Sequence, residues 1–384
     1  MAQLQTKTRE YTLMQFETWE VLTAKEKEER RKLNPKNLCS FGISVLDDAM
    51  YKIFPDDLII IGADSGMGKS SLVLNIAQHN AEQGKIVALF FLEGGHNEAI
   101  RRIKWRMICD EYYRTHEPHT YVDMDYILWR ANDASMEALK PIEEMVDEKL
   151  KTLFKENFFI YNINPDVYAE NQRVDYSQIY KGLVDFFDGS EWGKIKYKLD
   201  LLIIDHLHYF DLEDGSRSTE ADKLSKAMRM CKEISDIHKI PIILVSHLRK
   251  KGKDRGLPDQ EDFHGSSNIP KISTDSIVIA PSYALQDNAH LIYPTYFRFT
   301  KSRRGLKSNY AALVNYDLQK NTYQKDYKIY PVGILGTVTD GEELPPHKNP
   351  KWVKRHNRKE QEEVKKDKQP ESVNWDGEEN GQKS

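Results

Sequence analysis

Residues 58–72 read Leu-Ile-Ile-Ile-Gly-Ala-Asp-Ser-Gly-Met-Gly-Lys-Ser-Ser-Leu, and this stretch decides the fold. Its apolar run, Leu58–Ile61, predicts a buried β-strand, and the stretch from Leu72 to Gln83 predicts a helix. The loop between them is rich in glycine and ends in Lys69 and Ser70. Backbone N–H groups of such a loop, together with the helix N-terminus, can surround phosphate oxygens. The stretch therefore predicts a P-loop.

The predicted nucleotide-binding residues close the loop and open the helix. Lys69 can reach the β- and γ-phosphates, and the Ser70 hydroxyl can ligate Mg²⁺, so ATP and Mg²⁺ are the expected cofactors. The first glycine of the usual pattern is replaced by alanine, and Gly62 precedes it. An ordinary glycine-rich turn is the alternative, but the flanking strand and helix favour nucleotide binding. The predicted set is Ala63, Asp64, Ser65, Gly66, Met67, Gly68, Lys69, Ser70 and Ser71.

Short apolar runs alternate with longer amphipathic stretches on both sides of this loop, from about Phe41 to Tyr330. This alternation predicts an α/β fold with a mainly parallel sheet flanked by helices. Runs rich in Ile, Leu, Val and Phe suit strands that are buried on both faces, and they are Ile86–Leu92, Leu201–Ile204, Ile240–Val245 and Ser276–Ala280. Two later runs predict a hairpin, Tyr296–Thr300 and Tyr310–Tyr316. One helix face is predicted by the spacing of Leu224, Ala227, Met228, Cys231 and Ile234.

Charge patterns divide the chain into three segments. Residues 1–37 form a charged N-terminal segment, which predicts an exposed helix or a linker helix that docks on a partner. Residues 38–340 form one domain, in which the stretch from about Arg101 to Ser190 is predicted to be helical. Residues 341–384 are charged and lack a periodic apolar face, which predicts a disordered tail.

Composition excludes several classes of protein. No apolar run approaches the ~18–20 residues of a spanning helix. The first residues lack a signal-type apolar region, so we expect a cytoplasmic protein, in the host cytoplasm if the source is a virus. The three cysteines, Cys39, Cys109 and Cys231, are far apart, which argues against a disulfide framework or a paired-cysteine metal site. The net charge of −4 means that nucleic acid would need a local basic patch.

Polar residues follow three of the predicted strands. Ile86–Leu92 is followed by Glu93, the run at 201–204 by Asp205, and the run at 240–245 by Ser246 and His247. Ligands of open parallel sheets lie at the carboxyl ends of the strands. We therefore expect these side chains beside the P-loop, although each alone could be a polar residue facing solvent.

These residue types suit hydrolysis of a nucleoside triphosphate. Asp205 can hold Mg²⁺ or its water, as a Walker B acid does. Glu93 can orient and polarise the attacking water. His247 can contact the γ-phosphate and transmit its loss to the loop that follows.

A basic segment begins two residues after His247. It carries five positive side chains against one aspartate, and its glycines and a following proline predict a loop. Such a loop can neutralise the phosphates of a single strand without contacting bases specifically. A solvated charged loop is the alternative. The predicted DNA-binding residues are Arg249, Lys250, Lys251, Lys253 and Arg255.

These motifs, in this order, resemble the RecA-like ATPase domain of the hexameric replicative helicases, a family that includes bacterial DnaB, the helicase half of phage helicase–primases, and Twinkle. The resemblance covers about residues 38–330 and implies a RecA-like P-loop NTPase core. It rests on FGISVLDDAM with the P-loop that follows, FFLEGG, LLIIDHLHYF, IILVSHL and FTKSRRGLKSNY.

The resemblance also implies functions for residues that the motifs alone do not explain. Lys301 and Arg303 would reach the ATP of a neighbouring subunit, with Arg304 as an alternative to Arg303. His264 and Ser267 depart from the family, which has arginine and glycine there. The basic loop and Asp211–Ser218 would line a channel for single-stranded DNA. A homohexamer is implied, and a separate primase or loader is expected because neither a collar nor a primase domain precedes the ATPase.

Three functions follow from these observations. The first is an ATP-driven DNA helicase of replicative type that translocates on single-stranded DNA as a ring. The second is a RecA-like recombination or DNA-binding ATPase. The third is a KaiC-like regulatory ATPase without DNA unwinding, which would leave the basic loop unexplained.

Overall fold

The computed structural model describes residues 17–64, 66–116, 124–161, 199–209, 219–249, 256–265, 268–282, 291–304, 309–333 and 336–338. The chain divides into two units, Met1–Leu38 and Cys39–Ser384. In the first unit, helix α1 spans Trp19–Lys32, and none of its residues is buried. Thr18 caps this helix by accepting a hydrogen bond from the N–H of Val21. Its first turn is acidic and its last turn basic, which suits the helix dipole.

The second unit is built on one sheet, to which nine strands contribute among the described residues. In spatial order the strands are β3, β2, β4, β5, β1, β6, β7, β8 and β9. Neighbouring strands from β3 to β6 are parallel, and β7 to β9 continue the sheet as an antiparallel extension. The strands are β1 (Leu58–Ala63), β2 (Val87–Phe91), β3 (Phe158–Ile160), β4 (Leu201–Asp205), β5 (Ile242–His247), β6 (Asp275–Pro281), β7 (Ile292–Ser302), β8 (Tyr310–Asp317) and β9 (Thr322–Pro331).

Helices cover both faces of the sheet, because alternate residues of each central strand point to opposite sides. In β1, Ile59 and Ile61 join one apolar core, while Leu58 and Ile60 join the other. The first core takes in residues of α2 (Ser44–Met50), α3 (Lys69–Glu82), α4 (Gly95–Thr115) and α6 (Lys140–Leu153). The second takes in residues of α7 (Glu220–His238) and α8 (Asn268–Ile272). The short helix α5 is Tyr126–Arg130.

The predicted α/β fold with a mainly parallel sheet is confirmed. The predicted central strands are present, the hairpin of β7 and β8 is present, and α7 buries the apolar face that its spacing predicted. The prediction that 101–190 is helical is wrong at Phe158–Ile160, which pairs with β2 as an edge strand. Strand β9 was not predicted, because its middle, Gln324–Asp326, is polar and exposed. Residues 162–198 and the tail at 341–384 lie outside the described residues.

Two edges of the sheet matter for function. The P-loop edge is formed by the carboxyl ends of the parallel strands, where Ala63 pairs with His247 and Phe91 pairs with Asp205. The opposite edge is formed by their amino ends, where Asp275 pairs with Ser302 of β7. Across the described residues, no helix is long and apolar enough to cross a membrane.

Candidate active site

The P-loop turns between β1 and α3 through two glycines in left-handed backbone conformations. Gly66 has φ +80° and Gly68 has φ +77°, where residues with a side chain are strained. A Cβ added to Gly68 would also lie 3.0 Å from the Tyr323 hydroxyl, whereas one on Gly66 would meet no atom within 4 Å. Ser65 lies outside the described residues. The loop ends where Leu72 donates a backbone hydrogen bond to the Gly68 carbonyl, 2.8 Å away.

Lys69 is buried at the start of α3 and is held by the loop itself. Its Nζ donates to the carbonyls of Ala63 and Asp64 at 3.1 and 2.9 Å, and it lies 3.2 Å from Nδ1 of His247. Burial lowers the pKa of the amine, while the charges of Glu93, Asp205 and Asp64 oppose that change. A cation therefore faces the loop's interior at the helix N-terminus, which is the arrangement that attracts phosphate.

Asp205 ends β4 as a fully buried carboxylate with 0% of its surface exposed. Burial, and secondarily the charge of Glu93, raise its pKa to about 6, although the Ser70 hydroxyl and Lys69 favour the charged form. Ser70 lies close enough to exert this effect, yet neither carboxylate oxygen completes a hydrogen bond with a described group. A buried carboxylate is costly unless something pairs with it. Ser70 and Asp205 are the hard oxygen donors that suit Mg²⁺.

Glu93 and His247 lie at the same edge, as predicted from the strand ends. Ligand atoms of Glu93, His206 and His247 lie within 4.8 Å of one another. Burial and the positive charge of Lys69 lower the pKa of His247 to about 4, so its imidazole is neutral at pH 7. His206 was missed by sequence reasoning, although it directly follows Asp205. Burial lowers its pKa to about 3.

A cavity of about 680 Å³ opens beside the P-loop. This volume is within the ~300–1,000 Å³ of small-molecule sites. Its wall includes Arg102 and Arg130, which contact Glu98 at 2.8 and 3.5 Å, and Tyr126, whose hydroxyl donates to Glu98 at 3.0 Å. Sequence reasoning missed these residues, because they come from α4 and α5 and carry no motif. Both arginines lie in a cavity that also exposes Ser70 and Glu93.

Lys301 and the two arginines that follow β7 lie at the opposite edge. The Lys301 amine donates to the carbonyls of Pro270, Lys271 and Ser273, each at 2.6 Å, and so binds the end of α8. Arg303 is exposed, and its charge is one cause that lowers the pKa of Lys301, after burial.

Arg304 is committed to its own chain. It forms an ion pair with the carboxylate of Asp57, lies 3.8 Å from Asp275, and stacks its guanidinium 5.2 Å from the centre of the Phe54 ring. Its side chain is only 20% exposed. Arg303 is therefore the arginine of this pair that faces solvent.

One chain does not bring its P-loop and its Lys301–Arg303 segment together. A strand rises about 3.3 Å per residue, so the ends of β1 are roughly 16 Å apart. Arg304 contacts Asp57, just before β1, while Lys69 follows the far end of that strand.

Of the predicted DNA-binding residues, Arg249 alone belongs to the described part of the chain. Arg249 is exposed, and its backbone N–H donates to the Asp262 carbonyl at 2.7 Å. Leu248 forms a β-bridge with Phe263, and the N–H of His264 donates to the His247 carbonyl at 2.9 Å. The base of the loop is thus joined to the segment 262–264. Lys250, Lys251, Lys253 and Arg255, and the segment 211–218, lie outside the described residues.

Comparisons with known proteins agree with this geometry. Residues 39–152 match the family of the DnaB-like helicase C-terminal domain. A solved ATPase domain is 14% identical, with a TM-score of 0.61, over 80% of this chain and 99% of that one. A DnaB-like replicative helicase, described together with its interactions with primase, is 14% identical, with a TM-score of 0.57, over 81% of this chain and 67% of that one. No curated protein matches the chain.

The structural likenesses show the fold, and the family match covers the P-loop, α3, β2 and α4. The resemblance predicted from the sequence motifs is confirmed over residues 39–152, which match the DnaB-like helicase C-terminal domain, and the chain has the α/β fold of the two solved structures.

Proposed function

We propose that this chain is the motor of a DNA helicase of replicative type, which hydrolyses ATP and translocates on single-stranded DNA as a homohexameric ring. The observation that carries the proposal is the division of charged groups between two edges of one sheet. The P-loop edge holds Lys69, Glu93, Asp205 and His247, and the opposite edge presents the exposed Arg303.

Each group at the P-loop edge has a part in hydrolysis. Lys69 exchanges its two loop carbonyls for phosphate oxygens when ATP enters. Ser70 and Asp205 would hold Mg²⁺, which fits the two carboxylate oxygens that lack a complete hydrogen bond to a described group. Mg²⁺ held there would neutralise charge that develops on the transferred phosphoryl group. Glu93 is exposed to the cavity and orients the attacking water.

Arg303 completes the site of a neighbouring subunit. Its own P-loop is too distant, so it contributes to hydrolysis only across an interface. An arginine supplied in trans stabilises the charge of the transferred phosphoryl group. We assign this part to Arg303 rather than Arg304, because Arg304 is occupied by Asp57. Lys301 joins Arg303 in this part only if it leaves the three carbonyls that it binds.

His247 couples the state of the bound nucleotide to the DNA-binding loop. This side chain lies 3.2 Å from the Lys69 amine, and Arg249, two residues later, begins the basic loop. Binding or loss of the γ-phosphate changes the surroundings of both Lys69 and His247, and hence the loop that holds the strand. The loop binds phosphates through Arg249, Lys250, Lys251, Lys253 and Arg255, without sequence preference. A separate primase or loader is the expected protein partner.

The proposal is tested by ATP hydrolysis with and without single-stranded DNA. We expect DNA to stimulate the wild type, and Arg303→Ala to abolish turnover while ATP binding is retained. Arg229→Ala removes another exposed arginine, on α7, and serves as the matched control with the wild-type rate. Hydrolysis that ignores DNA would contradict the motor and favour a regulatory ATPase. DNA-stimulated hydrolysis on filaments instead of closed rings would favour a recombination protein.

A further inference from the structure

We propose that His208, Glu220 and His264 form a binding site for a divalent transition-metal ion of the Zn²⁺ class, separate from the nucleotide site. One ligand atom from each of the three side chains lies within 4.8 Å of the other two. A carboxylate and two imidazoles are donors that zinc accepts in proteins.

Three separate segments supply these side chains. His208 lies in the single turn Leu207–Tyr209 that follows β4, Glu220 is the first residue of α7, and His264 follows the β-bridge at Phe263. Residues this far apart in the chain converge only through the tertiary fold. Their convergence is therefore not a consequence of local sequence, and sequence reasoning did not find it.

Gly265 follows His264 in a left-handed backbone conformation. Its φ is +84°, and an added Cβ would lie 2.3 Å from a side-chain carbon of Leu224 and 3.8 Å from Nε2 of His208. Any residue with a side chain would be strained at this φ. The His264 and His208 imidazoles lie 5.5 Å apart, centre to centre.

The His208 ring is suited to a metal rather than to a protein partner. Neither ring nitrogen completes a hydrogen bond with a described group, although the nearby His264 backbone favours the charged form. Both ring nitrogens are buried. A neutral imidazole has the lone pair that a metal needs.

The spacing of the other two ligands also favours an ion. His264 Nδ1 and Glu220 Oε1 are 3.9 Å apart, which is too far for a hydrogen bond. Two ligands on one tetrahedral zinc are about 3.4 Å apart, so a small side-chain rotation suffices. Both side chains are half exposed or more, which leaves an open position for water. Mg²⁺ prefers all-oxygen sites and does not compete well here.

The ion would join the ends of both proposed DNA-facing segments. His208 and Glu220 flank 211–218, while His264 is joined by a backbone hydrogen bond to His247, just before the basic loop. Binding would therefore hold together the described residues that precede or follow these two segments in the sequence. This consequence rests on the proposed helicase function, whereas the metal site itself does not.

The site is tested on the full chain, without ATP or DNA, by titrating Zn²⁺ against a chromogenic chelator and by recording the visible absorption of added Co²⁺. We expect one equivalent of tight binding and a tetrahedral Co²⁺ spectrum. Glu220→Gln and His264→Asn each remove a ligand and should weaken Zn²⁺ binding by about 10–100-fold or more. His238→Asn changes an exposed histidine at the far end of α7 and should leave the affinity unchanged.

Two outcomes would overturn the proposal. Unchanged affinity in both Glu220→Gln and His264→Asn would show that these side chains do not hold the ion. Loss of binding in Glu93→Gln alone would assign the ion to Glu93, His206 and His247 at the nucleotide site instead. Glu220 is exposed, so Glu220→Gln keeps the fold, which circular dichroism checks. Because no nucleotide or DNA is present, failure here is distinct from failure of the helicase proposal.

Discussion

Asp57 and Asp205 are buried carboxylates at opposite edges of the sheet. Their pKa values are raised alike, but their hydrogen-bond and ion-pair partners differ. Burial raises the pKa of both Asp57 and Asp205 to about 6. Asp57 accepts a hydrogen bond from the N–H of Phe54 at 2.7 Å and pairs with Arg304. Asp205 completes no hydrogen bond with a described group. The fold therefore pairs Asp57, which has a structural role. It leaves Asp205 without a described partner at the place where we propose that a ligand binds.

The lysines show the same contrast. Lys301, at the opposite edge, donates to three carbonyls at 2.6 Å and ties β7 to α8. Lys69, at the P-loop edge, has longer contacts to two loop carbonyls and a neighbouring histidine. Substitution of Lys301 should therefore affect mainly stability, and substitution of Lys69 should affect mainly ATP hydrolysis.

The largest expected effect is that of Asp205→Asn. Loss of a metal-holding carboxylate should lower the rate of ATP hydrolysis by about 10³-fold or more, since several kcal/mol of charge stabilisation are lost. Steady-state ATP turnover at saturating Mg²⁺ measures the effect. A rate within a few-fold of the wild type would remove Asp205 from the proposed site.

Arg304→Ala should have the largest effect on stability. It leaves Asp57 buried without its cation, which should lower the free energy of unfolding by about 2–3 kcal/mol. Arg303→Ala is the matched control, because Arg303 is exposed, and its effect should stay within about 0.5 kcal/mol. Urea unfolding of the two variants makes the comparison. Equal losses of stability in the two variants would contradict the view that Arg304 has a structural role and Arg303 does not.

The pH dependence of stability should separate Asp205 from its asparagine variant. The folded-state pKa, about 6, exceeds the unfolded value, so the contribution of this group is fully present below about pH 4 and is lost as the pH rises through 6. Between pH 4 and pH 7, wild type should therefore lose stability relative to Asp205→Asn, by on the order of 2 kcal/mol. His206, His208 and His247 occur in both proteins, so their opposite pH dependence largely cancels. If the unfolding free energies of wild type and Asp205→Asn differed by the same amount at pH 4 and pH 7, the raised pKa of Asp205 would be contradicted.

The smallest expected difference is between two lysine substitutions. Lys301→Met removes three hydrogen bonds from a charged donor and should cost about 1–2 kcal/mol of stability. Lys69→Met removes an amine whose charged form is disfavoured by burial. It should therefore lower the free energy of unfolding by less than Lys301→Met does. Thermal unfolding in the absence of nucleotide compares them. A larger loss of stability for Lys69→Met would contradict the proposal that Lys301 has the structural role and Lys69 the catalytic one.

Sequence alone predicted what lies in contiguous segments. The P-loop, the parallel strands and the polar residues at their ends are each written in short stretches, and parallel topology then places those ends together. Arg102, Tyr126 and Arg130 escaped prediction, because only packing of α4 and α5 beside the P-loop brings them to the cavity. The choice between Arg303 and Arg304 needed the ion pair with Asp57, which is 247 positions away in the sequence. Strand β9 escaped because its exposed polar residues hide its pairing with β8.

The central claim is that a site is completed across an interface, by Lys69 of one chain and Arg303 of another. Mixing two inactive variants, Lys69→Ala and Arg303→Ala, tests it most directly, because some interfaces then combine an intact P-loop with an intact arginine. With single-stranded DNA present, the equimolar mixture should recover up to about one quarter of the wild-type ATPase rate, the share of interfaces that random assembly pairs correctly. A mixture as inactive as each variant alone, in rings shown to contain both chains, would contradict the account.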